Sequence, residues 1–220
     1  MVQAVRLTGT VAELHARDPF AAGPLAAPEV WWCDFTDAAI VLGSSQPDDV
    51  LDRDAVAAAG LSIVRRRSGG GAVLLVPGAV VWIDLVLPAG TWPADVRASM
   101  VAAGELWRAA LGTVARVHTG GMLTSAWSPA VCFAGVGPGE LVLDQPARKL
   151  VGLSQRRGRH GARIQGLVHT VALVARTAPL IAAGHRPQGV PDEAAVLAGG
   201  DPAALAGVLA RVLGKRITPT

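Results

Sequence analysis

Lysine is nearly absent from this chain. Of its 20 Lys and Arg residues only Lys149 and Lys215 are lysine. Cysteine is scarce too: Cys33 and Cys132 offer no disulfide framework. No basic-then-apolar segment starts at Met1, so the expected compartment is a reducing cytosol and the expected localisation cytoplasmic. No apolar run is long and unbroken. The longest, Ala72 to Pro88, is interrupted by Pro77, Gly78 and Asp84, which argues against a membrane span. Charged residues make up 17% and the formal net charge is +3, without the dense basic stripe or interleaved aromatics of a nucleic-acid binder. His15, His118 and His185 have no metal-ligand spacing with Cys or carboxylate, so no metal site is expected. Repeats and low-complexity linkers are missing, and residues 1–220 read as one domain.

What is present is apolar. Hydrophobic residues account for 51% of 220, enough for a substantial core. The arginine excess fits a general Arg-for-Lys bias of the kind a GC-rich genome imposes. Against that bias a retained lysine is a candidate for a task needing a compact ammonium of tunable pKa.

The chain is organised around Arg65-Arg66-Arg67-Ser68-Gly69-Gly70-Gly71-Ala72-Val73. Leu61 to Val64 reads as a strand leading in, and Ala72 to Val76 as one leading out. Three glycines in a row allow positive φ and close backbone approach to a ligand. Successive free N–H groups can cradle an anion, and arginine adds bidentate donors for carboxylate or phosphate. The stretch reads either as a site for a long anionic ligand or as a tight hairpin with a solvated basic edge.

Around it the pattern is of mixed helix and strand. Thr10 to Arg17 has capping-box spacing, with Glu13 three residues after Thr10. Glu29–Asp34 and Ala38–Leu42 read as a hairpin, and a helix is expected from Pro47 to Gly60. Val73–Val76 and Val80–Leu87 read as buried strands joined by Pro77-Gly78. Pro93 to Leu111 has helical spacing, with Val96, Met100, Leu106 and Leu111 near one face. Short strands are expected at Thr113–Val117 and Glu140–Leu143. A turn at Asp144-Gln145-Pro146-Ala147 then leads into Arg148–Ser154, which presents Lys149. Ala162 to Val174 is strand-like. Pro191–Leu197 and Pro202–Leu213 read as a helix pair within residues 190–214, behind a core at 28–183.

These residues resemble a known family, the biotin/lipoate A/B protein ligase catalytic domain. Arg66-Arg67-Ser68-Gly69-Gly70-Gly71-Ala72-Val73 is similar to its lipoate-binding signature, and Val41-Leu42-Gly43-Ser44-Ser45-Gln46 to the segment before it. Cys132-Phe133, Glu140-Leu141-Val142 and Arg148-Lys149-Leu150-Val151-Gly152-Leu153-Ser154-Gln155 resemble the later motifs of ligases and octanoyltransferases. The resemblance implies an α+β fold like that of class II aminoacyl-tRNA synthetases and biotin protein ligase: a mixed, mostly antiparallel sheet flanked by helices. It implies activation of lipoate or octanoate by ATP, carried as its Mg complex, and transfer from the acyl-AMP to a lysine of a lipoyl carrier domain. Such carriers are 2-oxoacid dehydrogenase subunits or the glycine cleavage carrier protein. Lys149 then stands against the acyl carbonyl and phosphate. Arg66, Arg67, Ser68, Gly69, Gly70, Gly71, Ala72, Gln46, Gly152 and Ser154 bind substrate. The basic stretch Arg156, Arg157, Arg159 and Arg163 reads equally as a solvated hairpin edge or as a means of attracting an acidic carrier.

The sequence departs from the family in two places. The aromatic-His-Asp-x-Gly-Asn run that follows the glycines is here Leu74-Leu75-Val76-Pro77-Gly78-Ala79, and His169 stands out of register with the expected His-Gly-Ser/Thr. Many ligases also carry an accessory C-terminal domain, so a separate accessory subunit is one expectation. An octanoyltransferase carrying its acyl group as a Cys132 thioester is a second reading. A non-catalytic relative that binds acyl group or adenylate is a third.

Overall fold

The structure is a computed structural model, and it describes residues 2–144 and 147–217. Gln145 and Pro146 of the expected turn lie outside the described residues. In chain order the strands are β1 (Gln3–Gly9), β2 (Glu29–Phe35), β3 (Ala39–Leu42), β4 (Ser62–Arg65), β5 (Val73–Leu75), β6 (Val80–Pro88), β7 (Arg116–Val117), β8 (Leu141–Asp144), β9 (Ala147–Gly158) and β10 (Gly161–His169). The α-helices are α1 (Val11–Ala16), α2 (Arg53–Ala58), α3 (Val96–Leu111), α4 (Val174–Thr177) and α5 (Pro202–Ile217).

Seven strands form one sheet in the order β1-β2-β6-β10-β9-β8-β7, antiparallel throughout except for the parallel pair β1–β2. The other three form a small sheet, β4-β3-β5, with β3 parallel to β4 and antiparallel to β5. This is the mixed, mostly antiparallel sheet flanked by helices that the sequence leads one to expect.

Strand alternation divides the core in two. From β6, Val81, Ile83, Leu85 and Leu87 join one apolar cluster with Leu106 and Trp107 of α3 and Leu209 and Leu213 of α5. Val80, Trp82 and Val86 face the opposite cluster, which holds the small sheet, α1 and α4. All nine residues of β6 are buried, because both its faces are covered. Each fully buried aliphatic side chain contributes roughly 1.5–3 kcal/mol. The layer between the two sheets is where the glycine turn sits.

Several local expectations hold. Thr10 caps α1 in a full capping box with Glu13. Gly112 ends α3 in the left-handed region, at φ 57°. The carboxylate of Asp201 accepts from the backbone N–H of Ala203 at the start of α5.

Others are corrected. The expected hairpin of β2 and β3 does not form, since the two strands belong to different sheets. The linking Asp37 instead accepts from the N–H of Val11 and from Ser62 Oγ, which carries the chain across to the small sheet. β5 and β6 part company at Pro77-Gly78 in the same way. α2 begins at Arg53 with Asp52 as its cap, after a short 3-10 turn over Asp48–Val50. On α3 the buried face runs through Ser99, Ala103, Leu106 and Trp107, while Val96 is exposed. Residues 191–197 form neither helix nor strand, so α5 stands without a helical partner there. The N–H groups of that segment serve the strands: Ala195 donates to the Lys149 carbonyl and Leu197 to that of His169. The Glu193 carboxylate accepts from Val174 and Ala175 at the start of α4.

Candidate functional site

Two backbone devices bring the site together. The first is the glycine turn. Arg66 is buried, and its guanidinium donates to the carbonyls of Val41, Gly69 and Gly71. A side chain from within the motif thus holds the turn in shape. Gly70 has φ +104°, and a Cβ on Gly71 would lie 2.6 Å from the Val131 carbonyl carbon. Only glycine lets the turn press against Val131-Cys132. There Ala72 donates to Ala130 and accepts from Cys132.

The second device is a β-bulge. Along β9, Val151 and Leu153 face the helices, so strict alternation would send Lys149 the same way. The β8–β9 register slips between Leu141↔Val151 and Val142↔Lys149, which leaves Leu150 as an extra residue. The slip turns Lys149 towards the glycine layer, the re-aiming that bulges perform.

Lys149 is 3% exposed. Its Nζ donates to the Cys132 carbonyl at 2.7 Å and to both oxygens of the buried Glu140, at 2.9 and 3.1 Å. Glu140 also accepts from the backbone N–H groups of Gly137 and Leu153. The ammonium lies 4.9 Å from the centre of the Phe133 ring. On Phe133 the imidazole of His169 is stacked at 4.0 Å. Burial, helped by the charge of Lys149, lowers the His169 pKa to about 4, so the ring is neutral. Neither of its nitrogens has a hydrogen-bond partner among the described residues.

A narrow slot opens from this cluster between the two sheets. Cys132, Phe133, Gly152 and Leu153 line one end; His15, Ser154 and Gln165 line the other, with Trp82 and Leu167 in the wall. Its free volume is only about 20 Å³, room for about one water. Gly152 is required here as well, since a Cβ would stand 2.9 Å from the Phe133 ring.

The polar end is a connected network. Ser68 Oγ donates to Ser154 Oγ at 2.9 Å and stands 3.4 Å from Gln165 Oε1. Gln165 Nε2 stands 3.3 Å from His15 Nδ1. Burial, reinforced by Arg163 and Arg66, lowers the His15 pKa to about 3. A neutral imidazole that accepts at Nδ1 carries its proton at Nε2. That Nε2 is buried and has no partner among the described residues. Behind it, Asp84 is wholly buried; it pairs with Arg163 at 2.6 Å and accepts from Trp82 Nε1. Burial pushes the Asp84 carboxyl up, against the pull of Arg163.

The residues singled out in the sequence therefore separate. Arg66, Cys132, Gly152 and Ser154 line the slot. Lys149 reaches its end through Cys132, whose Sγ is 4.0 Å from the Cβ position of Gly70. Ser68, Gly71 and Ala72 do not line the slot: Ser68 bonds to Ser154, Gly71 presses on Val131-Cys132 and Ala72 is buried against Ala130 and Cys132, while a Cβ on Gly69 would meet nothing within 4 Å. Gln46 is not in the slot. Its amide bridges the N–H of Gly43 to the carbonyls of Pro129 and Ala130. Arg67 turns outward to Asp18 at 3.4 Å. Arg163, read as part of a surface stretch, is buried against Asp84. Leu74 and Leu75, in the run that departs from the family pattern, are buried core. His15, Gln165 and Asp84 are absent from the sequence-based site. The signal for His15 is a histidine on the inner face of a well-capped helix. Among the described residues no group of three or more His, Cys, Asp or Glu could hold a metal, and no helix is long and apolar enough to cross a membrane.

A mixed, mostly antiparallel sheet flanked by helices carries the buried Lys149–Glu140 pair, and Cys132, which Lys149 holds, stands beside the glycine turn. The profile described as the lipoyl protein ligase A/B catalytic domain matches residues 25–179, and the chain belongs to that family. No curated protein matches it by sequence. Among solved structures it is similar to a bi-partite lipoate protein ligase from Thermoplasma acidophilum, a structure that also treats its E2 lipoyl domain. The TM-score is 0.72 at 13% identity, with 98% of this chain and 82% of that one covered. It is similar to a lipoate-protein ligase A bound with ATP, with TM-score 0.73, 15% identity and coverage of 98% and 84%. It is also similar to LipL1 of P. falciparum in complex with lipoate, with TM-score 0.66, 11% identity and coverage of 98% and 62%. At these identities the likeness is one of fold.

Proposed function

We propose that the protein is an acyl–protein ligase of lipoate type. It takes lipoate or octanoate and ATP, with Mg, to acyl-AMP and pyrophosphate, and then passes the acyl group to a lysine of a lipoyl carrier domain. Such carriers are 2-oxoacid dehydrogenase subunits or the glycine cleavage carrier protein, and a separate accessory subunit is the further partner of this reading. The observation that carries this reading is the Lys149 ammonium, buried and fixed by Glu140 and by the carbonyl of Cys132, a residue that itself lines the narrow slot.

The ATP-bound and lipoate-bound relatives support the choice of substrates. An ammonium has three N–H groups. Here they go to the Cys132 carbonyl and to both Glu140 oxygens, so the acyl carbonyl takes an N–H in place of one Glu140 oxygen. As the carrier amine attacks the mixed anhydride, negative charge gathers on that oxygen and Lys149 stabilises it. The departing AMP takes the electron pair of the C–O bond, and an amide remains.

The test is pyrophosphate release from full-length protein with octanoate or lipoate and ATP. Release that is lost in Lys149→Met is expected. Silence of the wild type, where a working ligase responds, rejects the proposal.

One observation favours a second reading. Cys132 Sγ lines the slot beside the glycine turn, and Lys149 holds the backbone of that same cysteine. A transferase would carry the acyl group there as a thioester. Intact mass after exposure to octanoyl carrier protein would rise by one acyl group in wild type and not in Cys132→Ser.

A further inference from the structure

The slot does not end at Ser154 and Gln165. Beyond them lies a second cavity of about 260 Å³, and His15 and Gln165 belong to the walls of both. Arg17, Arg67, Arg156, Arg157, Arg159 and Arg163 all line it. Among the described residues Arg67 pairs with Asp18 and Arg163 with Asp84, Arg157 donates to the carbonyls of Pro93 and Ala94 and Arg159 Nε to His160; Arg17, Arg156, Arg157 and Arg159 have no carboxylate within ion-pair distance. Like charges gathered in this way repel one another and favour an anion between them. The guanidinium fork matches a carboxylate in particular.

Position decides which anion. Lys149 and Arg156 lie on the same strand, and seven residues of β structure put their Cα atoms roughly 20 Å apart, a gap that the reach of the two long side chains shortens. In the ligase reading, on which this inference rests, the acyl phosphate is bonded to the carbonyl at Lys149 and stays at that end. The arginine cavity is at the other end, past a partition that is polar where an ordinary fatty chain would meet apolar groups. In that partition the buried Nε2–H of His15 has no acceptor, a costly arrangement unless something fills it. The cavity is also too small for the surface of a carrier domain, so a carrier would touch only its rim.

From this juxtaposition we infer that the acyl substrate bears a second carboxylate at the end remote from Lys149. The slot takes its methylene chain, His15 and Gln165 mark the exit, and the arginines bind the far carboxylate. The preferred substrate class is a medium-chain dicarboxylic acid, activated at one end only and favoured over octanoate at the same site. The arginines also make the site selective, because a methyl terminus leaves their charges uncompensated.

Calorimetry on the full chain tests this with octanoate and octanedioate, which share a chain length. The ladder from hexanedioate to decanedioate fixes the span. Octanedioate is expected to bind on the order of tenfold more tightly than octanoate, as a charge-assisted pair implies. In Arg156→Ser/Arg159→Ser, two exposed positions, that ratio is expected to fall to about one. Equal or tighter binding of octanoate to the wild type overturns the inference, and so does a preference that survives the double substitution. Inorganic phosphate binding as tightly as octanedioate, and lost in the same variant, assigns the cavity to phosphate and overturns it too. Pyrophosphate release separates this from the ligase proposal. Release with octanoate but not octanedioate leaves the ligase standing without this specificity. A dicarboxylate preference with no release from either acid keeps the anion site and removes the ligase.

Discussion

Lys149 and Glu140 are each other's solvent. Taking two charges out of water is costly, and a buried pair persists only when its remaining hydrogen bonds are met. Here they are, through the Cys132 carbonyl and the N–H groups of Gly137 and Leu153. Removing one partner strands the other. Lys149→Met is therefore expected to cost about 3 kcal/mol of stability by urea unfolding. Lys149→Met/Glu140→Gln should recover most of that stability while acyl activation stays absent. Glu140→Gln alone keeps the lysine but loosens its aim. If all three variants unfold at the wild-type midpoint, the pair is not the internal fixture described. Lys149 stands out in the sequence because lysine is so rare here. Its partner was visible only as part of a motif, since nothing in the residue pattern says that Glu140 folds back onto it.

At the scale of elements, the glycine turn gives two substitutions with opposite expectations. A Cβ on Gly71 collides with the backbone of Val131 and Cys132, whereas one on Gly69 meets nothing within 4 Å. Gly71→Ala is expected to lose more than about 2 kcal/mol, since backbone cannot move aside as a flexible side chain does. Gly69→Ala should stay within about 0.5 kcal/mol of wild type. Loss of acyl activation in Gly69→Ala with an unchanged unfolding midpoint would mean that a ligand, not the protein, occupies the space above that glycine. The turn, the capping box of α1 and the strand character of β6 and β10 were all readable, because each is written in local residue choice. The bulge in β9 was not. Strict alternation sends Lys149 towards α3, and only pairing with β8 shows the slip. The partition of β2, β3, β5 and β6 between two sheets was hidden for the same reason, as was the irregular path of residues 191–197. Their backbone partners are distant in sequence.

For the whole molecule the two buried histidines set the response to acid. In the unfolded chain each titrates near 6.5; in the folded protein His15 is lowered to about 3 and His169 to about 4. Below pH 6.5 the unfolded chain binds protons that the folded one refuses, so stability is greatest above that pH and falls as acid is added. Each histidine costs up to about 1.4 kcal/mol per pH unit. That loss runs down to about pH 4 for His169 and about pH 3 for His15. A urea midpoint that drops between pH 7 and pH 5, and drops less in His169→Gln, is the expected result. A midpoint flat across that range contradicts neutral burial of both rings.

The near-filled seam between the two sheets carries a kinetic consequence. Any guest longer than a water molecule must wait for the layers to breathe apart before it can thread between Trp82 and Leu167. Its association rate should level off at high concentration, at the frequency with which the sandwich opens by itself. Once inside, the guest becomes part of the core and bolts the layers together, raising stability by about 2.7 kcal/mol at a hundredfold excess over its Kd.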